Sequence, residues 1–349
     1  MKFSKMILKI FLITFLILVV FSSLGIAQEF KWKMTSPDVK GDNLTVFGET
    51  FAELVKERSE GRMEIEVFPQ GTLGTQLDII EIVQLGQAQI AAASTASFAR
   101  FVPQTQVLSL QYLWPKDNPR DIVQEVFENG DVVELLGEKY AEKGFHFLGA
   151  WVAGWTRVTS NVPIHSPEDC KGLKHRVMAS PILVKAYNKY GFNAQSLNYG
   201  EVYGALQTNL IDSQVNPAYS IWAMSFHEVQ DYITNLWNEM HTEITVFNKE
   251  AFDSLPEDLQ QILVDCYNEV LPKHNEWVIQ YDKESIENIK KDKPSVTFYE
   301  LTDEEIEPFK KLAWEDDGPA ATYVEIGGDG AQEILDALLA DIENAIQKQ

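Results

Sequence analysis

The sequence predicts an α/β protein with two lobes, joined by hinge strands and by one long connecting helix. Strand and helix patterns alternate along the chain, which is typical of α/β folds. The order strand, helix, strand, helix, strand occurs within residues 30–93 and again within residues 174–215. An apolar stripe along residues 256–281 predicts an unusually long helix. Two similar units and one long helix together indicate a hinged, two-lobed architecture.

The first unit follows from two periodicities of its apolar residues. Leu44, Phe47 and Phe51 recur at the spacing of one helix face. Met63 and Ile65 alternate with glutamates, as in a half-buried strand. The predicted elements are a strand at 30–35, a helix that ends at Gly61, a strand at 63–67, a helix at about 76–85 and a strand at 89–93.

The second unit and the long helix are marked by helix-start signals. Ser166 precedes a proline and two acids, and Ser254 and Thr302 begin capping boxes. Pro272 interrupts the long stripe, so one kinked helix and two separate helices both remain open. The predicted elements of the second unit are a strand at 174–177, a helix to 190, a strand near 197, a helix at 200–208 and a strand at 211–215.

Residues 1–27 have the pattern of a secretory signal peptide. Lys2, Lys5 and Lys9 precede an apolar run at 10–21, and small residues follow at 25–27. The run is shorter than the roughly 20 residues that a membrane-spanning helix needs. We therefore expect cleavage and a periplasmic mature protein, with an uncleaved N-terminal anchor as the alternative.

The charge balance excludes nucleic acid as a partner. Lysine and arginine number 29 against 52 acids, a formal charge of −23. Such a surface repels nucleic acid and anionic lipid, whereas a few local arginines can still bind an anion in a cleft. Cys170 and Cys266 are too few for a disulfide framework, and we expect free thiols, although a bridge between them stays open.

No catalytic, cofactor or metal signature is found. The chain has no phosphate-binding glycine loop, no dinucleotide fingerprint, no nucleophile elbow and no zinc-protease motif. The six histidines are scattered. We therefore expect a protein that is not an enzyme and that has no cofactor, no catalytic residue and no metal site.

The most informative stretch is residues 154–232. Its motifs are GWTRVTSN at 154–161, GLKHRV at 172–177, YGEVYGALQT at 199–208, IDSQVNP at 211–217 and FHEVQ at 226–230. In order and spacing this series resembles the solute-binding proteins of tripartite ATP-independent periplasmic (TRAP) transporters. Weaker likeness extends over almost the whole mature chain.

The resemblance implies a periplasmic-binding-protein-like fold and a receptor that closes on a small organic carboxylate. The receptor would deliver this ligand to the membrane subunits of an ion-gradient-driven TRAP permease. We expect the first lobe to comprise residues 28–153 and 242–281, and the second lobe 154–241 and 282–349, with the ligand between them. The alternatives are an ABC-type periplasmic binding protein and a secreted lyase or hydrolase on a similar scaffold.

The same resemblance assigns binding roles in the second lobe. In the family, the arginine of the GLKxRV motif pairs with the ligand carboxylate, and here it is Arg176. A planar guanidinium offers two parallel donors to a carboxylate. Arg157 resembles a second family arginine near the anion. Asn216 matches a family position that reaches into the cleft, and Tyr199 matches an aromatic position that covers the ligand. Trp237 and Asn238 are further candidates for the cleft wall.

The first-lobe candidates are uncharged and follow from position. Ser36, Gln76, Ser94 and Thr95 fall at strand ends or helix starts, where open α/β sheets bind ligands. An amine-bearing ligand would need an acid in the cleft, and none is evident among the motif positions. The sequence therefore predicts a small monocarboxylate with an apolar or hydroxylated body.

Overall fold

The computed structural model describes residues 29–349. The predicted signal peptide at 1–27 lies outside these residues. Within residues 29–349, none of the helices combines the length and the apolar character that crossing a bilayer requires.

The first lobe is built on a five-stranded mixed sheet in the order β2-β1-β3-β10-β4. β1 pairs in parallel with β2 and β3, whereas β10 is antiparallel to both β3 and β4. β10 therefore returns from the second lobe into the middle of the first sheet. The strands are β1 (Phe30–Thr35), β2 (Met63–Phe68), β3 (Ile90–Ser94), β4 (Phe145–Trp155) and β10 (Met240–Asn248).

The second lobe is built on a six-stranded sheet in the order β11-β9-β5-β8-β6-β7. β6 is parallel to β7 and β8, and β5 is antiparallel to its neighbours β8 and β9. The strands are β5 (Arg157–Ser160), β6 (Lys174–Val177), β7 (Asn193–Ser196), β8 (Ser213–Asn216), β9 (Tyr232–Asn235) and β11 (Thr297–Glu300). Both predicted units are thus confirmed as parts of two separate sheets.

Helices cover the faces of both sheets and bury the predicted apolar positions. Leu44, Phe47 and Phe51, for example, are buried on the first helix. The helices are α1 (Asn43–Arg58), α2 (Gln76–Gln84), α3 (Thr95–Phe98), α4 (Pro119–Asn129), α5 (Asp131–Glu142), α6 (Pro181–Lys189), α7 (Val202–Gln207), α8 (Ala218–Ala223), α9 (Lys249–Asp253), α10 (Glu257–Asp292), α11 (Asp303–Trp314), α12 (Pro319–Gly327) and α13 (Ala331–Gln347). Short 3₁₀ helices lie at Pro103–Ser109, Pro167–Cys170, Tyr199–Glu201 and Phe226–Val229.

The long helix α10 is continuous over 36 residues and contains Pro272 within it. Of the two alternatives that the sequence left open, a single helix is therefore correct. Leu263 and Val270 pack into the core of the first lobe, whereas Ile289 packs into a cluster of the second lobe. The helix thus connects both lobes.

The C-terminal segment is shared between the lobes. β11 extends the second sheet, but α13 packs on α4 and α5, which flank β4 of the first lobe. α12 packs on α6 and on the 3₁₀ helix at Pro103–Ser109. The predicted lobe boundaries remain a prediction. They assign all of 282–349 to the second lobe, whereas α13 packs on helices of the first lobe. Helical periodicity shows which face of a helix is buried, but not which lobe buries it.

Candidate functional site

A small cavity lies between the two lobes, where strands of both sheets end. It has no more than about 330 Å³ of space free of protein atoms. The first lobe contributes residues that follow β1, start α2, end β3 and lie on β10, while the second contributes residues from β6, β8 and α8. The lining residues are Pro37, Asp38, Leu44, Gln76, Ser94, Arg176, Met178, Tyr199, Asn216, Tyr219, Ser220, His241 and Glu243.

Arg176 is the cationic centre of this cavity. Its side chain is fully buried on β6, and its Nε donates to the carbonyl of Leu197 at 2.9 Å. Within the described part of the chain, its two terminal nitrogens are buried without a hydrogen-bond partner. Burial lowers the pKa of the guanidinium to about 10, so the group remains protonated at neutral pH. A buried cation with two free donors is suited to a carboxylate.

Four more predicted site residues line the cavity with Arg176. Tyr199 places its ring 6.0 Å from the Arg176 guanidinium. Asn216, at the end of β8, lines the second-lobe side, and its amide donates to the side chain of Gln214. Gln76 and Ser94 line the first-lobe side. The structure thus brings together Arg176, Tyr199, Asn216, Gln76 and Ser94.

Ser94 contacts the second lobe directly, whereas Ser36 and Thr95 form hydrogen bonds within the first lobe. The Ser94 hydroxyl donates to the sulfur of Met178 at 3.4 Å. Ser36 does not line this cavity; its hydroxyl hydrogen-bonds with that of Thr45 at 3.1 Å. Thr95 instead donates to the carbonyl of Thr242 at 2.7 Å.

The structure places the other three predicted residues away from the cavity. Arg157 forms an ion pair with Asp282 of α10, with Nη1 and Oδ2 3.1 Å apart. Trp237 packs edge-on against Trp155 at a centroid distance of 5.4 Å. Asn238 is buried and donates to the Tyr187 hydroxyl at 3.2 Å. These side chains therefore belong to the hinge region.

The first lobe contributes acids that the sequence interpretation missed. Asp38 follows β1 and accepts a hydrogen bond from the Leu44 amide at 2.8 Å. Glu243, on β10 opposite Ser94, is almost fully buried, and His241 lies 3.1 Å from its Oε1. Its Oε2 is buried without a partner in the described residues. The search for an acid among the motif positions therefore did not include these two residues, which lie outside the motifs.

These acids perturb one another because they are buried close together. Burial, together with the charge of Glu243, raises the pKa of Asp38 to about 7. Burial and the charge of Asp38 raise the pKa of Asp42, the N-cap of α1, well above its usual value. Burial opposes charging of His241, but the carboxylates of Glu243, Glu239 and Asp38 together outweigh it and raise the pKa of the imidazole. The acids are thus held without enough positive charge to balance them.

A positional signal for the acids exists in the sequence. Asp38 lies just beyond the carboxyl end of a predicted strand, as Ser36 does. His241 and Glu243 alternate along one strand and so face the same side of the sheet. Among residues 29–349, no group of three or more His, Cys, Asp and Glu side chains is arranged to hold a metal ion.

A small polar cavity between two lobes defines a receptor for a small solute. The model of the family described as bacterial extracellular solute-binding protein, family 7, matches residues 40–315. The ectoine-binding periplasmic protein TeaA of Halomonas elongata is 32% identical over 319 residues, which cover 91% of each chain. The ectoine/5-hydroxyectoine-binding periplasmic protein UehA of Ruegeria pomeroyi is 31% identical over 90% of this chain and 91% of its own.

A solved structure shows the same architecture. The TRAP periplasmic solute binding protein from Desulfovibrio salexigens with bound orotic acid is 30% identical and covers 90% of this chain and 99% of its own, with a TM-score of 0.85. The chain therefore belongs to family 7 of the bacterial extracellular solute-binding proteins, as the receptor subunit of a TRAP transporter.

This membership confirms the predicted fold, the transport function and the periplasmic location. The protein binds a small organic acid and acts with the membrane subunits of its transporter. Because the family consists of transport receptors, the prediction of a non-enzymatic protein is also confirmed, and the ABC-type and hydrolase alternatives are excluded.

Proposed function

We propose that this receptor captures a small zwitterionic monocarboxylate, with ectoine as the leading candidate. The observation that carries the proposal is the separation of charge in the cavity. Arg176, with its two free donors, lies in the second lobe, and the acids Asp38 and Glu243 lie in the first. A ligand with a carboxylate at one end and a cation at the other would compensate both.

The number of cationic side chains available in the cavity supports a ligand with a single carboxylate. Arg157 is neutralised by Asp282 outside the cavity. His241 lines the cavity, but it is already paired with Glu243. A second ligand carboxylate would therefore be buried without a partner, which costs several kcal/mol. This argues against a dicarboxylate.

The acids support a cationic group on the same ligand. Asp38 and Glu243 are buried, and Glu243 keeps one oxygen without a partner among the described residues. Buried carboxylates that repel each other are stabilised when a cation lies between them. Ectoine has one carboxylate on a six-membered ring whose amidinium charge is delocalised. The ectoine-binding relatives, at 31–32% identity, support this choice.

The walls and size of the cavity suit a compact ring. Tyr199 and Tyr219 contribute aromatic faces, and Leu44 and Met178 contribute apolar surface. The free space is small, no more than about 330 Å³ even when space open to solvent is included, so a ligand of this site has to be compact. A single ring with small substituents fits better than an extended molecule.

The test is a calorimetric screen on protein that has been unfolded and refolded to remove co-purified ligand. Ectoine is compared with cyclohexanecarboxylate, a ring monocarboxylate without the cation, and with succinate, a dicarboxylate. We expect binding of ectoine and at least about tenfold weaker binding of the others, the factor for one charge-assisted interaction. Tighter binding of cyclohexanecarboxylate would restore the neutral-bodied monocarboxylate that the sequence predicted. Preference for succinate would contradict the single-carboxylate argument.

A further inference from the structure

Asp282, on the long helix α10, contacts two segments of the chain directly and a third through Arg157. Its Oδ2 lies 3.1 Å from Nη1 of Arg157, at the start of β5. The same arginine nitrogen donates to the carbonyl of Trp155, at the end of β4, at 3.2 Å. Asp282 Oδ1 accepts from the backbone amides of Ala218 at 2.9 Å and Tyr219 at 3.4 Å, in the first turn of α8.

These three segments link the hinge to the ligand cavity. The chain crosses from the first sheet to the second between β4 and β5. α8 directly follows β8 and provides Tyr219 and Ser220, which line the cavity. α10 packs against both lobes. Asp282 therefore lies where the hinge, the connecting helix and one cavity wall meet.

The first turn of α8 depends on this carboxylate. Its N-cap residue is Pro217, which makes no side-chain capping bond, although the first amides of a helix need acceptors. Asp282 supplies that acceptor from another helix, and its negative charge is favourable at a helix N-terminus. The Tyr219 hydroxyl accepts from the Asn43 side chain at 3.1 Å. Tyr219 is thus held at its backbone by Asp282 and at its hydroxyl by the first lobe.

The ion pair is shielded from solvent. The side chains of Arg157 and Asp282 are 10% and 13% exposed. Removing one partner of such a pair leaves the other charge buried and uncompensated, so the contact is kept once formed. Arg157 in turn fixes the Asp282 carboxylate against the end of β4.

We propose that Asp282 and Arg157 are positioning residues for solute binding. They hold α8 against the hinge so that Tyr219 and Ser220 face the ligand when the lobes close. Arg157 thus acts through Asp282 and not as a second ligand for the carboxylate. The proposal concerns the cavity wall and does not depend on which solute the cavity binds.

The test compares Asp282→Ala, Asp282→Asn and Arg157→Gln with Glu269→Ala as the matched control. Asn keeps an oxygen that can accept from Ala218 but removes the charge. Glu269 also lies on α10, but its carboxylate pairs with Arg58 of the first lobe at 2.6 Å and with Lys273 on the same helix. Two readouts are used: amide hydrogen exchange of residues 218–223 without ligand, and calorimetric affinity for ectoine at a temperature where every variant is folded.

We expect Asp282→Ala to increase exchange at 218–223 and to weaken ectoine binding about tenfold, the factor for one lost charge-assisted hydrogen bond. Asp282→Asn should recover part of the affinity, Arg157→Gln should weaken it less than Asp282→Ala, and Glu269→Ala should match wild type. An Asp282→Ala affinity within about twofold of wild type would overturn the proposal. So would an equal loss in Glu269→Ala.

The same experiment distinguishes a wrong ligand from a wrong role for Asp282. If wild-type protein does not bind ectoine, the ligand assignment fails, and exchange at 218–223 decides the present proposal because it needs no ligand. Unchanged exchange in both Asp282 variants would overturn it. Increased exchange in Asp282→Ala that is concentrated at 218–223 and that Asp282→Asn reduces would support it, since a general loss of stability would increase exchange throughout the protein.

Discussion

Arg176→Lys is the substitution that tests the carboxylate site most directly. Lysine keeps a positive charge but cannot reproduce the planar fork of two donors. The arginine uses Nε to bond the Leu197 carbonyl and leaves both terminal nitrogens for the ligand. A single ammonium would have to serve both the carbonyl and the ligand. We therefore expect a large loss of affinity with little change in fold.

The size of the loss follows from two effects. One lost charge-assisted hydrogen bond weakens binding by about 1.5–3 kcal/mol, or roughly 10- to 150-fold. Burial already lowers the pKa of Arg176 to about 10. An amine at the same buried position starts from a lower intrinsic pKa, so part of the lysine would lose its proton near neutral pH. Affinity of the lysine variant should therefore fall further as pH rises from 7 to 9, unlike that of wild type.

Isothermal titration with ectoine at several pH values measures both effects. Arg62→Lys is the matched control, because Arg62 lies on the surface, where it pairs with Glu29 and Asp258. If the Arg176→Lys affinity stays within about twofold of wild type, the arginine does not clamp the carboxylate. A pH dependence identical to that of wild type would show that the introduced lysine remains protonated and would remove the second part of the argument.

The remaining predictions concern the acids and the hinge. Asp38→Asn should weaken ectoine binding about tenfold and leave cyclohexanecarboxylate binding unchanged; calorimetry that shows equal losses for both would place Asp38 outside the cation site. Burial raises the pKa of Asp38 from 3.8 to about 7, so between these values the folded state binds more protons than the unfolded chain. The free energy of unfolding of ligand-free wild type should therefore decrease as pH rises from about 4 to 7, relative to Asp38→Asn, whereas affinity for ectoine should increase as Asp38 ionises. Denaturant melts and titrations at matched pH values test this pair of opposite trends. Ectoine at saturation should reduce the radius of gyration measured by small-angle scattering, and an unchanged curve would contradict hinge closure.

The sequence predicted the architecture and the second-lobe part of the site because both follow from patterns among residues that are close together in the chain. Arg176, Tyr199 and Asn216 lie in contiguous motifs, at or just beyond strand ends of one sheet. Patterns of this kind can be recognised in a single sequence, without knowledge of contacts between distant residues. Gln76 and Ser94 were found from position alone, since residues at strand ends and helix starts meet in the cleft.

The sequence patterns could not predict where the side chains at the hinge point. Arg157 and Trp237 lie at the two crossings between the sheets, where no regular periodicity applies. Trp237 adopts a positive φ of 54°, which is uncommon for a residue with a side chain. Its ring turns to Trp155, and the Arg157 guanidinium turns to Asp282. Neither contact could be derived from spacing, because the partner residues belong to other elements.

The missed acids changed the expected ligand. Glu243 reaches the cavity only because β10 returns from the second lobe and inserts beside β3, which places it opposite Ser94. Reasoning from the motif positions alone gave two arginines, Arg176 and Arg157, and neutral partners, and so a ligand with a neutral body. With Asp38 and Glu243 facing the same cavity, a neutral body would leave two buried carboxylates with only the His241 imidazole to balance them. The ligand charge is thus decided by a strand pairing that a motif search does not detect, which is why the zwitterion and the neutral ring acid are the two solutes to compare first.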